Sequence, residues 1–100
     1  MPSQFKVEAR ASEVHGMGLF ALETIPRGAL IGACTTEPTR RRNKFTLTLT
    51  RGDVHVRCEL RYINHGRPPN VAYLDDATVV ALRRVRPGEE LLHDYGDDWA

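Results

Sequence analysis

Hydrophobic and polar positions alternate in short runs along this chain, and turn residues break the runs roughly every ten positions. Phe45-Thr46-Leu47-Thr48-Leu49-Thr50 alternates strictly, with β-branched threonine on one face, and predicts a half-buried strand. Arg51-Gly52-Asp53 then reads as a hairpin turn, and Val54 to Cys58 as the returning strand. Phe5 to Ala9, Leu19 to Leu22, Ala29 to Ala33, Val71 to Leu74, Thr78 to Arg83 and Leu91 to Tyr95 predict further strands, with Asp75-Asp76 turning a second hairpin. The breaks fall at Gly16 and Gly18, Pro26-Arg27-Gly28, Pro38, Gly66 to Pro69, Pro87-Gly88 and Gly96. No segment sustains a helical apolar period, and the best helical candidate is a single turn or 3₁₀ piece at Leu60 to Asn64. The pattern predicts a mostly β chain, residues 1–100 forming one domain, with no internal repeat and no low-complexity tract.

Composition narrows the function classes. The chain has 100 residues, 41% hydrophobic and 27% charged, which is the balance of an ordinary globular domain and not of a disordered one. No apolar run approaches the ~20 residues that span a bilayer, and Met1 to Glu8 has no signal-peptide core. A soluble, intracellular, cytoplasmic protein without a membrane partner is expected, nuclear or chromatin-associated if the source is eukaryotic. Cys34 and Cys58 are too few for a structural zinc site; they could form one disulfide, but free thiols in a reducing compartment are the expected state.

The net charge is +1 and names no partner, but its distribution is uneven. Residues 88–100 carry Glu89, Glu90, Asp94, Asp97 and Asp98 with no Lys or Arg, which would favour a basic ligand if the stretch lines a site. Arg40-Arg41-Arg42 reads as a solvated loop, and direct nucleic-acid binding is not expected.

Three motifs carry candidate chemistry. His15-Gly16-Met17-Gly18-Leu19-Phe20 lets the backbone turn tightly and approach a ligand, or is simply a turn. Arg61-Tyr62-Ile63-Asn64-His65-Gly66-Arg67-Pro68-Pro69-Asn70 offers an amide and an imidazole before a proline-stiffened exit. Gly88-Glu89-Glu90-Leu91-Leu92-His93-Asp94-Tyr95-Gly96-Asp97-Asp98-Trp99 ends a strand on a tyrosine followed by glycine; such a tyrosine packs in a core or presents its hydroxyl to a pocket.

In this order the three motifs resemble the SET-domain family of protein-lysine methyltransferases, over Val7 to Trp99. The resemblance implies a β-clip of small twisted sheets with little helix and a C-terminal pseudoknot, which would bring Asn64-His65 beside Asp94-Tyr95. It implies S-adenosyl-L-methionine as cofactor, gripped by His15, Gly16 and Met17, with Arg61 and Asn64 at its amino-acid end, the His65 backbone at its adenine, and Trp99 against cofactor or substrate. Tyr95 is implied as the catalytic residue, with Phe45 and His93 beside it in the substrate channel. The implied substrate is a lysine of a basic, histone-like protein or peptide, which the acidic stretch would attract.

Some positions depart from the family pattern. His93 stands where relatives often carry a Phe or Tyr that tunes the number of methyl groups added. Gly66 replaces the usual Ser, Arg67-Pro68 stands where Cys-x-Pro is common, and a Gly-Asn element upstream is missing. No cysteine-rich segment follows Ala100, so no zinc site is expected to close the channel. The alternative is a non-catalytic or partner-dependent SET-like module that binds a peptide or protein. A homodimer completing the pocket is compatible with so small a chain.

Overall fold

The computed structural model describes residues 5–14, 16–33, 36–40, 46–49, 52–56 and 58–96. Its strands are β1 (Val7–Ala11), β2 (Met17–Ala21), β3 (Leu30–Ala33), β4 (Thr36–Pro38), β5 (Thr46–Leu49), β6 (Gly52–Val56), β7 (Asn64–His65), β8 (Val71–Tyr73), β9 (Thr78–Ala81) and β10 (Leu92–His93), with a 3₁₀ turn at Glu59–Tyr62. They form four small sheets, β1-β2, β3-β9-β8, β4-β6-β5 and β10-β7. Only the last is parallel, pairing Leu92 with Asn64 and His93 with His65. Among the described residues, no helix is long and apolar enough to cross a membrane.

The alternating stretches form the expected hairpins, with shifted limits. Leu49 pairs with Gly52 and Thr48 with Asp53, so Gly52 and Asp53 belong to a strand and not to the turn. Strand β1 starts two residues later than predicted, because its register against β2 runs from Val7 opposite Ala21 to Ala11 opposite Met17. Strand β4, which the sequence did not suggest, is three residues long and ends on Pro38, opposite Val54 at the sheet edge. An edge position is where a strand tolerates proline's missing N–H.

The expectation of no internal repeat is wrong. The segments running from β2 into β3 and from β9 towards β10 pair as near-symmetric partners. The Ile25 N–H donates to the Val85 carbonyl at 2.8 Å, and the Val85 N–H returns to Ile25 at 2.9 Å. Gly28 N–H donates to Ala81 at 2.8 Å, as Gly88 N–H donates to Ala21 at 2.7 Å. Ala21 N–H reaches Glu89 at 2.9 Å, as Ala81 N–H reaches Ala29 at 3.0 Å. Gly28 and Gly88 both adopt positive φ, 82° and 89°, where a side chain would be strained. The proline sits one place differently in the two turns, Pro26 and Pro87, which hides the correspondence in the sequence.

This crossing is the centre of the main core. Leu19, Ile25, Ile31, Val79, Val85 and Leu91 are fully buried there, joined by Leu60, Ile63 and Val71. Each such aliphatic side chain stabilises the fold by about 1.5–3 kcal/mol on burial. A second cluster, Leu49, Val54, Val56 and Ala77, lies between the β4-β6-β5 sheet and the β8-β9 turn. Cys58 and Tyr73 pack against both clusters, and Tyr95 against the second. The third motif therefore ends at the seam between them.

Candidate functional site

The parallel β7–β10 pair brings the second and third motifs together. The Tyr95 hydroxyl donates to the Ile63 carbonyl at 2.7 Å, one residue before Asn64, and the Tyr95 backbone N–H donates to His65 Nδ1 at 3.0 Å. The predicted meeting of Asn64-His65 with Asp94-Tyr95 is thus present in the structure. The Gly66 N–H adds a bond to the His93 carbonyl at 3.1 Å.

The first motif joins through Asn64. This residue is 6% exposed and its Nδ2 donates to the Met17 carbonyl at 3.2 Å and to Glu90 Oε2 at 2.8 Å. Gly16, at φ 45°, has open space where a Cβ would stand, and the Met17 side chain is exposed beside it. Arg61 lies over the Tyr62 ring, its guanidinium carbon 4.5 Å from the centroid, and donates to the Tyr62 hydroxyl at 2.8 Å and the Cys58 carbonyl at 3.2 Å. His15, Phe45 and Trp99 fall outside the described residues.

Tyr73 belongs to this site, and sequence reasoning did not single it out. Its ring is 5.3 Å from His93 and 6.2 Å from Tyr95, while His93 meets Tyr95 edge-on at 4.5 Å. The Tyr73 hydroxyl donates to the Leu60 carbonyl at 2.5 Å, as Tyr95 does to Ile63, so two phenols are anchored on the 3₁₀ turn and its exit. Position 73 is an ordinary inward place on an alternating strand, and no local signal marks it.

Burial pushes the His93 imidazole below its ordinary value of 6.5, with nearby His65 acting the same way; a backbone hydrogen bond with Val71 and the Asp94 charge oppose this. The neutral ring suits its place, since His93 Nδ1 faces the Tyr73 N–H at 3.4 Å. Because the folded value lies below the unfolded one, the unfolded chain takes up this proton first as pH falls. Stability is full above pH 6.5 and declines below it. The thermal midpoint should therefore drop between about pH 7.5 and 5.5, and the drop should be smaller in His93→Phe. An equal drop in both proteins would locate the effect elsewhere. Asp94 is held below its ordinary 3.8, chiefly by the Gly96 N–H and then by Arg67, so its own loss of stabilisation falls at more acid pH.

The described acids of the C-terminal stretch already have partners. Asp94 pairs with Arg67 at 3.0 Å, Glu89 with Arg83 at 3.3 Å and with the Arg86 N–H at 2.9 Å, and Glu90 binds Ser12 and Asn64. Among the described residues no group of His, Cys, Asp and Glu is placed to hold a metal ion.

Gly66 has a steric reason. A Cβ there would stand 2.7 Å from Leu92 Cδ1 and 2.9 Å from Leu92 Cβ. Gly66→Ser should cost about 1–3 kcal/mol by overpacking. The penalty should shrink in a Leu92→Ala background, which removes Cδ1 and keeps Cβ, measured as a double-mutant cycle in urea; additive costs would refute Cδ1 as the cause.

The family model described as the SET domain matches residues 16–96. No curated protein matches the sequence. Among solved structures, that of a candidate histone methyltransferase from Plasmodium falciparum is similar with a TM-score of 0.73 and 20% identity, over 96% of this chain and 97% of that one. KRYPTONITE, in complex with mCHH DNA, an H3(1-15) peptide and SAH, is similar with a TM-score of 0.73 and 23% identity, over 93% of this chain and 24% of its own. These two likenesses establish a common fold of small strand sheets. The family match covers all three motif regions, from Gly16 through Asn64-His65 to Tyr95-Gly96, and the chain belongs to the SET-domain family.

Proposed function

We propose that this chain transfers a methyl group from S-adenosylmethionine to the ε-amine of lysine in a basic protein or peptide. The observation that carries the reading is the meeting of Tyr95, His65, Asn64 and the Met17 carbonyl at one place. Family membership supports the reaction class. The complex of KRYPTONITE with SAH and an H3 peptide supports the cofactor and substrate classes.

The residues fit such a cofactor in the chemistry of their polar groups. The Met17 carbonyl, next in the chain to Gly16, and the buried Asn64 amide bonded to it are groups whose chemistry suits the ammonium of an amino-acid end. Arg61, steadied by Tyr62 and Cys58, suits its carboxylate. The His65 backbone, with His15, Met17 and Trp99, completes the proposed contacts. When bound, the cofactor supplies a methyl group activated by an adjacent sulfonium.

The chain's own residues prepare the amine. Lysine has an ordinary pKa of about 10.4 and must lose its proton before it can attack. The Tyr73, His93 and Tyr95 rings, with Phe45, form the proposed walls, and an apolar surround favours the neutral amine. The Tyr95 hydroxyl gives its one proton to Ile63, so its oxygen meets the substrate as an acceptor and orients an amine N–H. Such alignment removes several kcal/mol of barrier.

The test is transfer of label from methyl-labelled cofactor to histones and to a whole lysate. Labelling of a basic protein at lysine is expected. Cofactor binding by calorimetry with no transfer at high protein concentration would replace this reading with that of a partner-dependent or non-catalytic module.

A further inference from the structure

Strands β7 and β10 pair over two positions, and Tyr95 stands two residues past the last of them, His93. The contacts of residues 94–96 therefore hold this end of the chain. The Tyr95 N–H donates to His65 Nδ1 at 3.0 Å, and the Gly96 N–H donates to Asp94 Oδ1 at 2.9 Å. An aspartate that accepts the N–H two residues on closes an Asx turn. Tyr95 is the central residue of that turn, so the turn sets the direction in which its ring leaves the backbone.

The other oxygen of the same carboxylate is held from across the strand pair. Arg67, two residues past His65 at the exit of β7, donates its Nε–H to Asp94 Oδ2 at 3.0 Å. The Gly66 N–H, bonded to the His93 carbonyl at 3.1 Å, brings Arg67 to that place. One carboxylate thus joins the exits of both strands, with an oxygen for each. Held by one oxygen, a carboxylate can swing about its side-chain bonds; held by both, it keeps one setting. The two side chains are 49% and 39% exposed, and an exposed ion pair adds little to global stability. Its effect is local, on the turn that carries Tyr95.

We propose that Arg67 is a positioning residue for methyl transfer: acting through Asp94, it holds the Asx turn that aims Tyr95. The inference rests on the methyltransferase reading above and deepens it.

The test compares Arg67→Gln, Arg67→Lys, Asp94→Asn and the Arg67→Gln, Asp94→Asn double variant, each in the full chain. It measures methyl transfer, thermal unfolding and amide hydrogen exchange by NMR. Arg67→Gln should lower kcat about fivefold or more, with the KM for S-adenosylmethionine within about twofold and a melting temperature close to wild type. Arg67→Lys keeps a cation within reach of Asp94 and should retain at least about half of the wild-type rate. Asp94→Asn keeps an acceptor for Gly96 but loses the attraction for Arg67. It should match Arg67→Gln, and the double variant should be no slower than either, because one contact is lost once. Exchange at the Tyr95 and Gly96 amides should speed up about tenfold in Arg67→Gln, while the Leu92 amide, bonded to Asn70, keeps its wild-type rate.

Losses that multiply in the double variant, a kcat for Arg67→Gln within about twofold of wild type, or unchanged exchange at Tyr95 and Gly96 overturns the proposal. A large drop in the melting temperature of Arg67→Gln makes the residue structural and overturns it too. Wild-type protein that transfers no methyl group overturns the methyltransferase reading, and the exchange rates then still decide whether Arg67 holds Tyr95.

Discussion

Tyr95→Phe is expected to keep its fold and to lose methyl transfer by about a hundredfold or more. The ring has ample reason to stay where it is. It meets His93 edge-on at 4.5 Å, lies 6.2 Å from Tyr73, and packs against the second core cluster. Phenylalanine keeps all of this. What disappears is the oxygen, held at 2.7 Å on the Ile63 carbonyl. The lost hydrogen bond should cost about 1 kcal/mol of stability, while in the proposed reaction the substrate amine would lose the acceptor that orients it. Transfer rates and thermal midpoints of the two proteins separate these effects. Transfer within a few fold of wild type would remove Tyr95 from the chemistry, and unfolding together with lost activity would make it a structural residue.

The second large effect is on stability. Asn70 is 2% exposed and bonds on every side. Its Nδ2 donates to the Glu90 carbonyl at 2.8 Å, and its Oδ1 accepts the Leu92 N–H at 2.8 Å. Its own N–H donates to Leu92 at 3.0 Å, and its carbonyl accepts from Leu82 at 2.9 Å. Alanine keeps the two backbone bonds but strands a carbonyl and an N–H in the interior. Each stranded group costs about 1–3 kcal/mol, so Asn70→Ala should lose about 3–5 kcal/mol, a large part of the 5–15 kcal/mol that holds an ordinary domain together. Urea unfolding measures it. A loss below about 1 kcal/mol would mean that water replaces the amide. The segment that Asn70 clasps leads directly to His93 and Tyr95, so the site should loosen with it.

The strands were legible where pattern is local. Thr46–Leu49 alternates, and Asp76 marks its own turn by bonding the Thr78 N–H at 3.1 Å. The meeting of Asn64-His65 with Tyr95 was legible only through the family resemblance, since His65 and Tyr95 are 30 positions apart. Glu90 was hidden for the same reason without such help. Its donors Ser12 and Asn64 are 78 and 26 positions away, and a glutamate after Pro-Gly reads as solvated surface. Asn70 read as one residue of a motif, but its weight comes from burial, which no spacing reveals. Gly66 read as an oddity of the motif; only the packed Leu92 side chain explains it.

The near-symmetric crossing of the β2–β3 and β9–β10 segments divides labour between two like pieces. Each piece closes one turn of its own, Ala29 N–H to Pro26 and Glu89 N–H to Arg86, and exchanges its other bonds with its counterpart, as two subunits of a dimer would, but within one chain. After the matched glycines the pieces part company. The first continues as β3 into an ordinary antiparallel sheet. The second continues through Glu90 into β10, which leaves that sheet pattern to run parallel with β7 and carries His93 and the approach to Tyr95. One piece serves as scaffold in a sheet while its counterpart carries the candidate site, and the shared core holds both in place.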